Sequence, residues 1–94
     1  MVFGWDENKN RTNQRKHGVS FRTAARVFAD PLAVSYLDRI VDDKERWHTI
    51  GFAGGVTILL VVHTVKEQDG EQEIRIISAR KASSSEQITY GASH

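Results

Sequence analysis

The spacing of apolar residues divides the chain into a helical first third and a β-rich remainder. Between Ser20 and Asp30 the apolar side chains fall at i, i+3, i+4 and i+7, namely Phe21, Ala24, Ala25 and Phe28. That spacing predicts a helix with one apolar face. Ser20 is a favourable N-cap, and Pro31 predicts an end at Asp30, because the residue before proline is disfavoured in the α conformation.

A polar segment precedes this helix and predicts another one. Asp6 is a good N-cap, and polar helix formers run from Glu7 until Gly18, a residue that commonly ends helices. Few apolar residues lie between them, so this first helix should rest lightly on the core and expose most of its surface. The stretch from Val2 to Trp5 is aromatic and β-prone, and it is compatible with a short edge strand.

After Pro31 the pattern is typical of strands, which are predicted at residues 33–39, 46–52, 56–65 and 73–79. The third stretch is apolar on both faces, which predicts a central strand. Turns are predicted at residues 41–44, 54–55 and 68–70. Ser83 and Glu86 have the spacing of a capping box, which predicts a short helix through Tyr90. The fold class is therefore α+β: two N-terminal helices, a four-stranded antiparallel β-meander and a short C-terminal helix.

Length and composition fit one domain over residues 1–94, because two separate cores would each be too small. Hydrophobic residues make up 39% of the chain and charged residues 27%, values typical of a globular protein. The chain has no cysteine, which excludes disulfides and thiolate metal sites. The N-terminus lacks the pattern of a secretory signal, and the longest apolar run, residues 56–62, is too short to span a bilayer. We expect a cytoplasmic protein without membrane association.

The net charge of +1 conceals a strong segregation of charge along the chain. From Lys9 to Arg26 there are cations and no acid, whereas acids predominate from Asp38 to Glu73. The last predicted strand then brings further cations. A folded domain of this composition can carry one basic and one acidic face, and a basic face favours a polyanionic partner.

The chemistry that the sequence permits is cleavage of RNA through its own 2′-hydroxyl. The chain contains no glycine-rich phosphate loop, zinc-protease motif or serine elbow, so no metal site and no cofactor are predicted. Such cleavage needs a base, cations that stabilise the phosphorane, and an acid for the leaving 5′-oxygen. The candidate catalytic residues are Lys9, His17 and Arg80, and the candidate RNA-binding residues are Arg11, Arg15, Lys16, Arg75 and Lys81.

Each candidate also has a purely structural interpretation. His17 can interact with the last carbonyls of the first helix, and Lys9 and Lys16 can form a solvated helix face. Strand alternation places Arg75 and Arg80 on opposite faces unless a bulge re-aims one of them. We expect an active-site role for Arg80 and a structural ion pair for Arg75, with Glu45 or Glu73 as the partner of an arginine in this strand.

Other conspicuous residues favour structural roles. His63 closes the most apolar strand and is predicted to be a hydrogen-bonded core histidine, whereas His48 has no discriminating context. The large aromatic residues are predicted to pack in the core, although an exposed tryptophan can stack on a nucleic-acid base. Tyr90 is predicted to pack the last helix against the sheet. These packing residues are Trp5, Trp47 and Phe52.

Six short motifs resemble, in order, those of the BrnT toxin family. They lie within residues 3–9, 13–21, 28–31, 45–51, 61–64 and 74–82. The resemblance implies a RelE-like fold, RNA cleavage that arrests growth, and membership of a type II toxin–antitoxin pair. It also implies a BrnA-like antitoxin that dimerises through a ribbon-helix-helix domain, so that operator DNA is bound only through the antitoxin.

The sequence departs from the family pattern near its C-terminus. Family members often carry arginines before a Glu-Arg-x-x-Tyr motif, whereas no cation follows Lys81 here. This loss favours an alternative, a catalytically weak or inactive binding module that acts as partner and co-repressor of a DNA-binding antitoxin. An unrelated α+β ligand-binding domain is a third interpretation, and an apolar pocket without a basic rim would support it.

Overall fold

The computed structural model describes residues 1–55, 57–92 and 94 of the chain. Within them, helices α1 (Glu7–His17), α2 (Phe21–Ala25) and α3 (Ser84–Ala92) accompany a sheet. A short 3₁₀ helix, Arg26–Ala29, continues from α2. The strands are β1 (Val2–Gly4), β2 (Val34–Val41), β3 (Lys44–Phe52), β4 (Ile58–Gln68) and β5 (Glu71–Lys81). No helix in this part of the chain is long and apolar enough to cross a membrane.

The strands form one mixed sheet in the order β1-β5-β4-β3-β2. β2 to β5 make the predicted antiparallel meander, but β1 adds a fifth strand that runs parallel to β5, with Phe3 opposite Ile74. The edge strand that the sequence allowed near Val2 is thus present, but it makes the sheet five-stranded and mixed, where the sequence predicted a four-stranded antiparallel meander. The pairing of β1 joins residues about seventy positions apart, which local propensity cannot reveal.

The predicted strands are longer in the structure because the hairpins are tight. Val41 pairs with Lys44 across Asp42 and Asp43, whose φ angles are 51° and 62°. Two consecutive residues with positive φ match the right-handed twist of the flanking strands, so pairing continues to the turn. Val56, the predicted first residue of the third strand of the meander, lies outside the described residues.

The predicted helix ends are confirmed. Asp6 accepts a hydrogen bond from the Lys9 backbone amide at 3.1 Å, and Gly18 ends α1 with φ of 70°. In the capping box, the Ser83 amide donates to Glu86 (2.8 Å) and the Glu86 amide donates to the Ser83 hydroxyl (3.2 Å). The predicted second helix ends at Asp30 as expected, but its last turn is 3₁₀. Tightening of this kind is common at helix C-termini.

The two faces of the sheet differ in what covers them. On the helix-covered face, apolar side chains of β4 and β5 form the main core with α2 and the 3₁₀ helix, namely Leu59, Val61, Ile74, Ile76 and Ala79. On the opposite face, α3 covers one end, where Tyr90 packs with Ile50 and Leu60. We call the rest of that second face, the part beyond α3 that carries Tyr36, His48, Val62 and Ser78, the open face.

Candidate functional site

The first helix lies along the outer edge of β5 and forms a groove with it. β1 ends at Gly4, opposite Arg75, so it leaves the rest of this edge without a strand neighbour. Asn13 occupies part of the gap: its amide nitrogen donates to the carbonyls of Ala79 (2.8 Å) and Val19 (2.9 Å), and its oxygen accepts from the Ala79 amide (3.1 Å). The asparagine thus takes the place of a strand partner.

A second buried asparagine holds the other end of the helix. Asn10 accepts a hydrogen bond from the Phe21 amide at 2.9 Å, which ties α1 to the start of α2. The sequence predicted a helix that rests lightly on the core because its apolar residues are few. Polar side chains provide the attachment instead, and their only signal in the sequence is the three-residue spacing of Asn10 and Asn13.

The groove has a volume of about 310 Å³ and contains three of the predicted site residues. Lys9, Lys16 and His17 line it from α1, together with Ile77 and Ser78 of β5. Both lysines are exposed and His17 is half-buried. The lysine charges therefore stand beside Ser78 at the edge of β5, an arrangement suited to an anionic chain.

The remaining cations of α1 lie outside the groove. Arg11 and Arg15 are exposed and do not line it, and Arg11 donates a hydrogen bond to the Asn8 side chain. Lys81 is also elsewhere: it lines a cavity of about 240 Å³ with Arg26 and Gly18, on the side of the sheet that α2 covers. The structure therefore divides the predicted RNA-binding residues among several surfaces.

A bulge in β5 places the two arginines of this strand on one face. Val62 pairs with Ser78 and His63 with Ile76, so β5 has an extra residue, Ile77, opposite β4. Arg75 is opposite Thr64 and Arg80 is opposite Leu60, two β4 residues on the same face. Simple alternation placed the arginines on opposite faces, and the bulge reverses that expectation.

Arg80 lies outside the α1 groove, so the candidate catalytic residues Lys9, His17 and Arg80 do not share one groove. Its guanidinium makes a two-pronged ion pair with Glu86 of α3, with N–O distances of 2.7 and 2.9 Å. The hydrogen bonds from Arg80 hold the pKa of Glu86 at about 2, and the same pairing raises the pKa of Arg80. The partner of Arg80 is thus Glu86, and neither Glu45 nor Glu73.

Arg75 makes no ion pair within 4.0 Å among the described residues, contrary to the structural pair predicted for it. It lines a depression of about 460 Å³ that is also lined by Glu45 and Glu73. The guanidinium is exposed and is therefore available to a ligand on the open face.

Sequence reasoning missed a polar cluster on the open face. Tyr36 and His48 are opposite each other on β2 and β3, and the Tyr36 hydroxyl lies 3.2 Å from His48 Nδ1. His48 Nε2 lies 3.4 Å from Asp38 Oδ2, and the Arg39 Nε–H donates to that oxygen at 2.8 Å. A bulge at Asp38 brings its carboxylate to this face. The strand register creates the cluster, and no spacing along the sequence indicates it.

The other histidine of the sheet centre has the predicted structural role. His63 is 2% exposed, its Nε2 lies 2.7 Å from the Thr49 hydroxyl, and its Nδ1 lies 3.3 Å from the Thr64 carbonyl. Burial lowers the pKa of His63 to about 4. The imidazole is therefore neutral at pH 7, and the prediction of a hydrogen-bonded core histidine is confirmed.

Trp5 and Phe52 pack as predicted. Trp5 packs edge-on against Phe21, and Phe52 packs edge-on against Tyr90. Tyr90 is buried, and its hydroxyl donates to Asp30 at 2.8 Å, so it joins α3 to the end of the 3₁₀ helix. No group of three or more side chains suited to holding a metal ion occurs among the residues that the structure describes.

Comparison with known proteins agrees with the fold and the motifs. A search of curated proteins gave no match. Among solved structures, the crystal structure of the Brucella abortus ribonuclease toxin BrnT is similar, with 27% identity and a TM-score of 0.59 over 88% of this chain and 99% of that one. The family described as "Ribonuclease toxin, BrnT, of type II toxin-antitoxin system" matches residues 5–86. The chain therefore belongs to the BrnT family of ribonuclease toxins of type II toxin–antitoxin systems.

Proposed function

We propose that this chain is an endoribonuclease that cuts RNA by attack of a 2′-hydroxyl on the neighbouring phosphorus, without a metal ion. The observation that carries the proposal is the position of the α1 groove. Its cations border Ser78, and Ser78 is also part of the open face, where Arg80 and Arg75 lie. An RNA strand held in the groove can thus continue onto a surface rich in arginine.

The reaction forms a bond between O2′ and phosphorus and breaks the bond between phosphorus and O5′. The products are a 2′,3′-cyclic phosphate and a 5′-hydroxyl, so proton transfer and charge stabilisation are all that the protein must supply. We assign Lys9, Lys16 and His17 to binding of the RNA in the groove. Arg80 and Arg75 serve phosphates on the open face, and Arg11, Arg15 and Lys81 add long-range attraction.

The candidate catalytic residues are divided between the α1 groove and the open face, so they cannot all have the same role. Lys9 and His17 hold the RNA from one side of β5, whereas Arg80 acts on the phosphate at the open face beside α3. Arg80 reaches a phosphate by sharing its guanidinium between Glu86 and the substrate, because the carboxylate already occupies two of its donors.

Incubation of the purified protein with single-stranded RNA in excess EDTA tests this proposal. We expect cleavage to continue and to leave cyclic phosphate ends. Intact RNA at high protein concentration would overturn the ribonuclease assignment, and cleavage that returns only with added Mg²⁺ would overturn metal independence.

Charge variants test the groove separately. Lys9→Ala with Lys16→Ala should weaken RNA binding and reduce its salt dependence, by about 0.7 in the slope of log K against log salt for each lost phosphate contact. The matched control is Arg22→Ala with Arg26→Ala, which removes two exposed cations of α2 and the 3₁₀ helix that do not line the groove. Equal weakening by both pairs would show that the groove has no special role.

The neutralising partner that we propose is a BrnA-like antitoxin, which dimerises through a ribbon-helix-helix domain and alone contacts operator DNA. Both proteins would then act in the cytoplasm. Support comes from the family, since toxins of type II pairs have protein antitoxins. Co-expression should restore growth, and the purified complex should bind the operator whereas the toxin alone should not. The RelE-like architecture implied by the sequence resemblance also stays a prediction.

A second function is favoured by two observations. No lysine or arginine follows Lys81, and the arginine closest to α3 is already paired with Glu86. Both features suit a weak or inactive module that serves as co-repressor. Expression of the chain alone separates the two: growth arrest supports the nuclease, and harmless expression with intact antitoxin binding supports the module.

A further inference from the structure

The cluster of Tyr36, His48 and Asp38 has the connectivity of a proton relay. The Asp38 Oδ2 lies 3.4 Å from His48 Nε2, and a carboxylate can only accept, so a proton on Nε2 is the arrangement that this contact favours. His48 Nδ1 is then an acceptor, and the Tyr36 hydroxyl donates to it. A carboxylate that orients an imidazole in this way also stabilises the imidazolium that forms when the ring takes a proton.

Arg39 fixes the carboxylate end of the relay. Its Nε–H donates to the same Asp38 oxygen that faces His48, and this hydrogen bond lowers the pKa of Asp38. The carboxylate therefore stays ionised. At the other end, Tyr36 is 37% exposed, so its hydroxyl is accessible from the open face.

The relay lies close to cations that can hold a phosphate. Arg80 and Glu86 are near enough to Tyr36 to act on its hydroxyl: burial and the Glu86 charge raise the pKa of Tyr36, whereas Arg80 lowers it. Tyr36 is thus a neutral hydroxyl beside an arginine. Arg46 lies two residues before His48 on β3 and is half-buried.

Cross-strand packing alone accounts for only part of this arrangement. The Tyr36 and His48 rings meet edge to face with centroids 5.3 Å apart, a contact that stabilises many hairpins. Packing does not require the hydroxyl to face Nδ1, the carboxylate to face Nε2, or an arginine to hold that carboxylate. Ring packing therefore does not explain these three polar contacts.

We propose that Tyr36 is a catalytic residue of RNA cleavage, with His48 and Asp38 as the positioning residues behind it. The inference rests on the proposed ribonuclease function. As O2′ bonds to phosphorus, its proton passes to the Tyr36 oxygen while the Tyr36 proton passes to His48 Nδ1, next to Asp38. The bond between phosphorus and O5′ breaks, and water protonates the leaving 5′-oxygen. His48 later returns its proton to solvent through Tyr36.

Tyr36→Phe tests the proposal because it keeps the ring and removes the hydroxyl. With short single-stranded RNA under single-turnover conditions, we expect the cleavage rate to fall about 10²- to 10⁴-fold, the usual contribution of one proton-transfer group. The RNA dissociation constant should stay within about twofold. The matched control is Leu37→Thr, on the same strand but the opposite face, which should cleave at the wild-type rate.

His48→Ala provides a second, independent measurement. Its cleavage rate should fall to a similar extent and should recover in part when free imidazole is added, whereas a purely structural loss would not be rescued. Melting temperatures of all variants show whether they fold. Tyr36→Phe cleavage within threefold of wild type, or His48→Ala without rescue, overturns the relay but leaves the ribonuclease function intact. Wild-type protein that leaves RNA uncut overturns both.

Discussion

His63 and His48 lie on neighbouring strands but on opposite faces of the sheet, and their surroundings differ completely. His63 is buried under Phe28 with both ring nitrogens occupied by neutral partners, and burial keeps its pKa near 4. His48 is on the open face between a hydroxyl and a carboxylate. On the covered face the polar ring nitrogens of His63 are bonded inside the fold, whereas the polar groups around His48 lie at the surface of the open face.

The largest expected effect on stability lies at the edge of the helix-covered face. Asn13→Ala leaves the Val19 carbonyl and both backbone groups of Ala79 without their side-chain partner. Each unsatisfied buried group costs about 1–3 kcal/mol, so we expect a loss of about 4 kcal/mol in the free energy of unfolding. Urea denaturation measures it, with Arg15→Ala, exposed on the same helix, as the control that should change by under about 0.5 kcal/mol.

The next largest expected effect is a pH dependence of the free energy of unfolding, which arises from His63. The unfolded chain takes up a proton on this residue near pH 6.5, whereas the folded protein does so only near pH 4. The free energy of unfolding should therefore fall as the pH is lowered from 6.5 to 4, by about 3 kcal/mol. His63→Gln should remove most of that slope, while His48→Ala should keep it. A slope that follows His48 instead would contradict the comparison of the two faces.

The smallest effect on stability is expected at the ion pair beside the open face. Arg80 is 42% exposed, so solvent screens its pairing with Glu86, and Glu86→Gln should cost only about 1 kcal/mol. The freed guanidinium should bind RNA more tightly in the variant, and the salt dependence of binding should become steeper. Denaturation and RNA titration at several salt concentrations measure both. Unchanged RNA binding would place Arg80 outside the RNA surface.

The caps and turns were predictable because their signals are local. Asp6, Gly18, Ser20 and the Ser83–Glu86 box each act on backbone groups within four residues, so the helix boundaries followed from the sequence. The core role of His63 also followed, since it lies in the most apolar strand. The positions of Lys9, Lys16 and His17 on one groove agree with their spacing along a helix.

The features that the sequence did not predict depend on how the strands pair. The parallel pairing of β1 with β5, the bulge that aligns Arg75 with Arg80, and the ion pair of Arg80 with Glu86 all arise from contacts between distant segments or from a register shift. A one-residue shift moves every later side chain to the other face, and nothing in a strand's own composition fixes that shift. The open face could not be predicted for the same reason.

The sequence by itself therefore determined the helices, the meander, the basic first helix and the family. Only the tertiary structure decided which cations share a surface, and it placed Tyr36, His48 and Asp38 together. The physical reason is the range of the interactions. Capping and periodicity act within one or two turns, whereas a site on a sheet is assembled across strands whose register depends on the whole core.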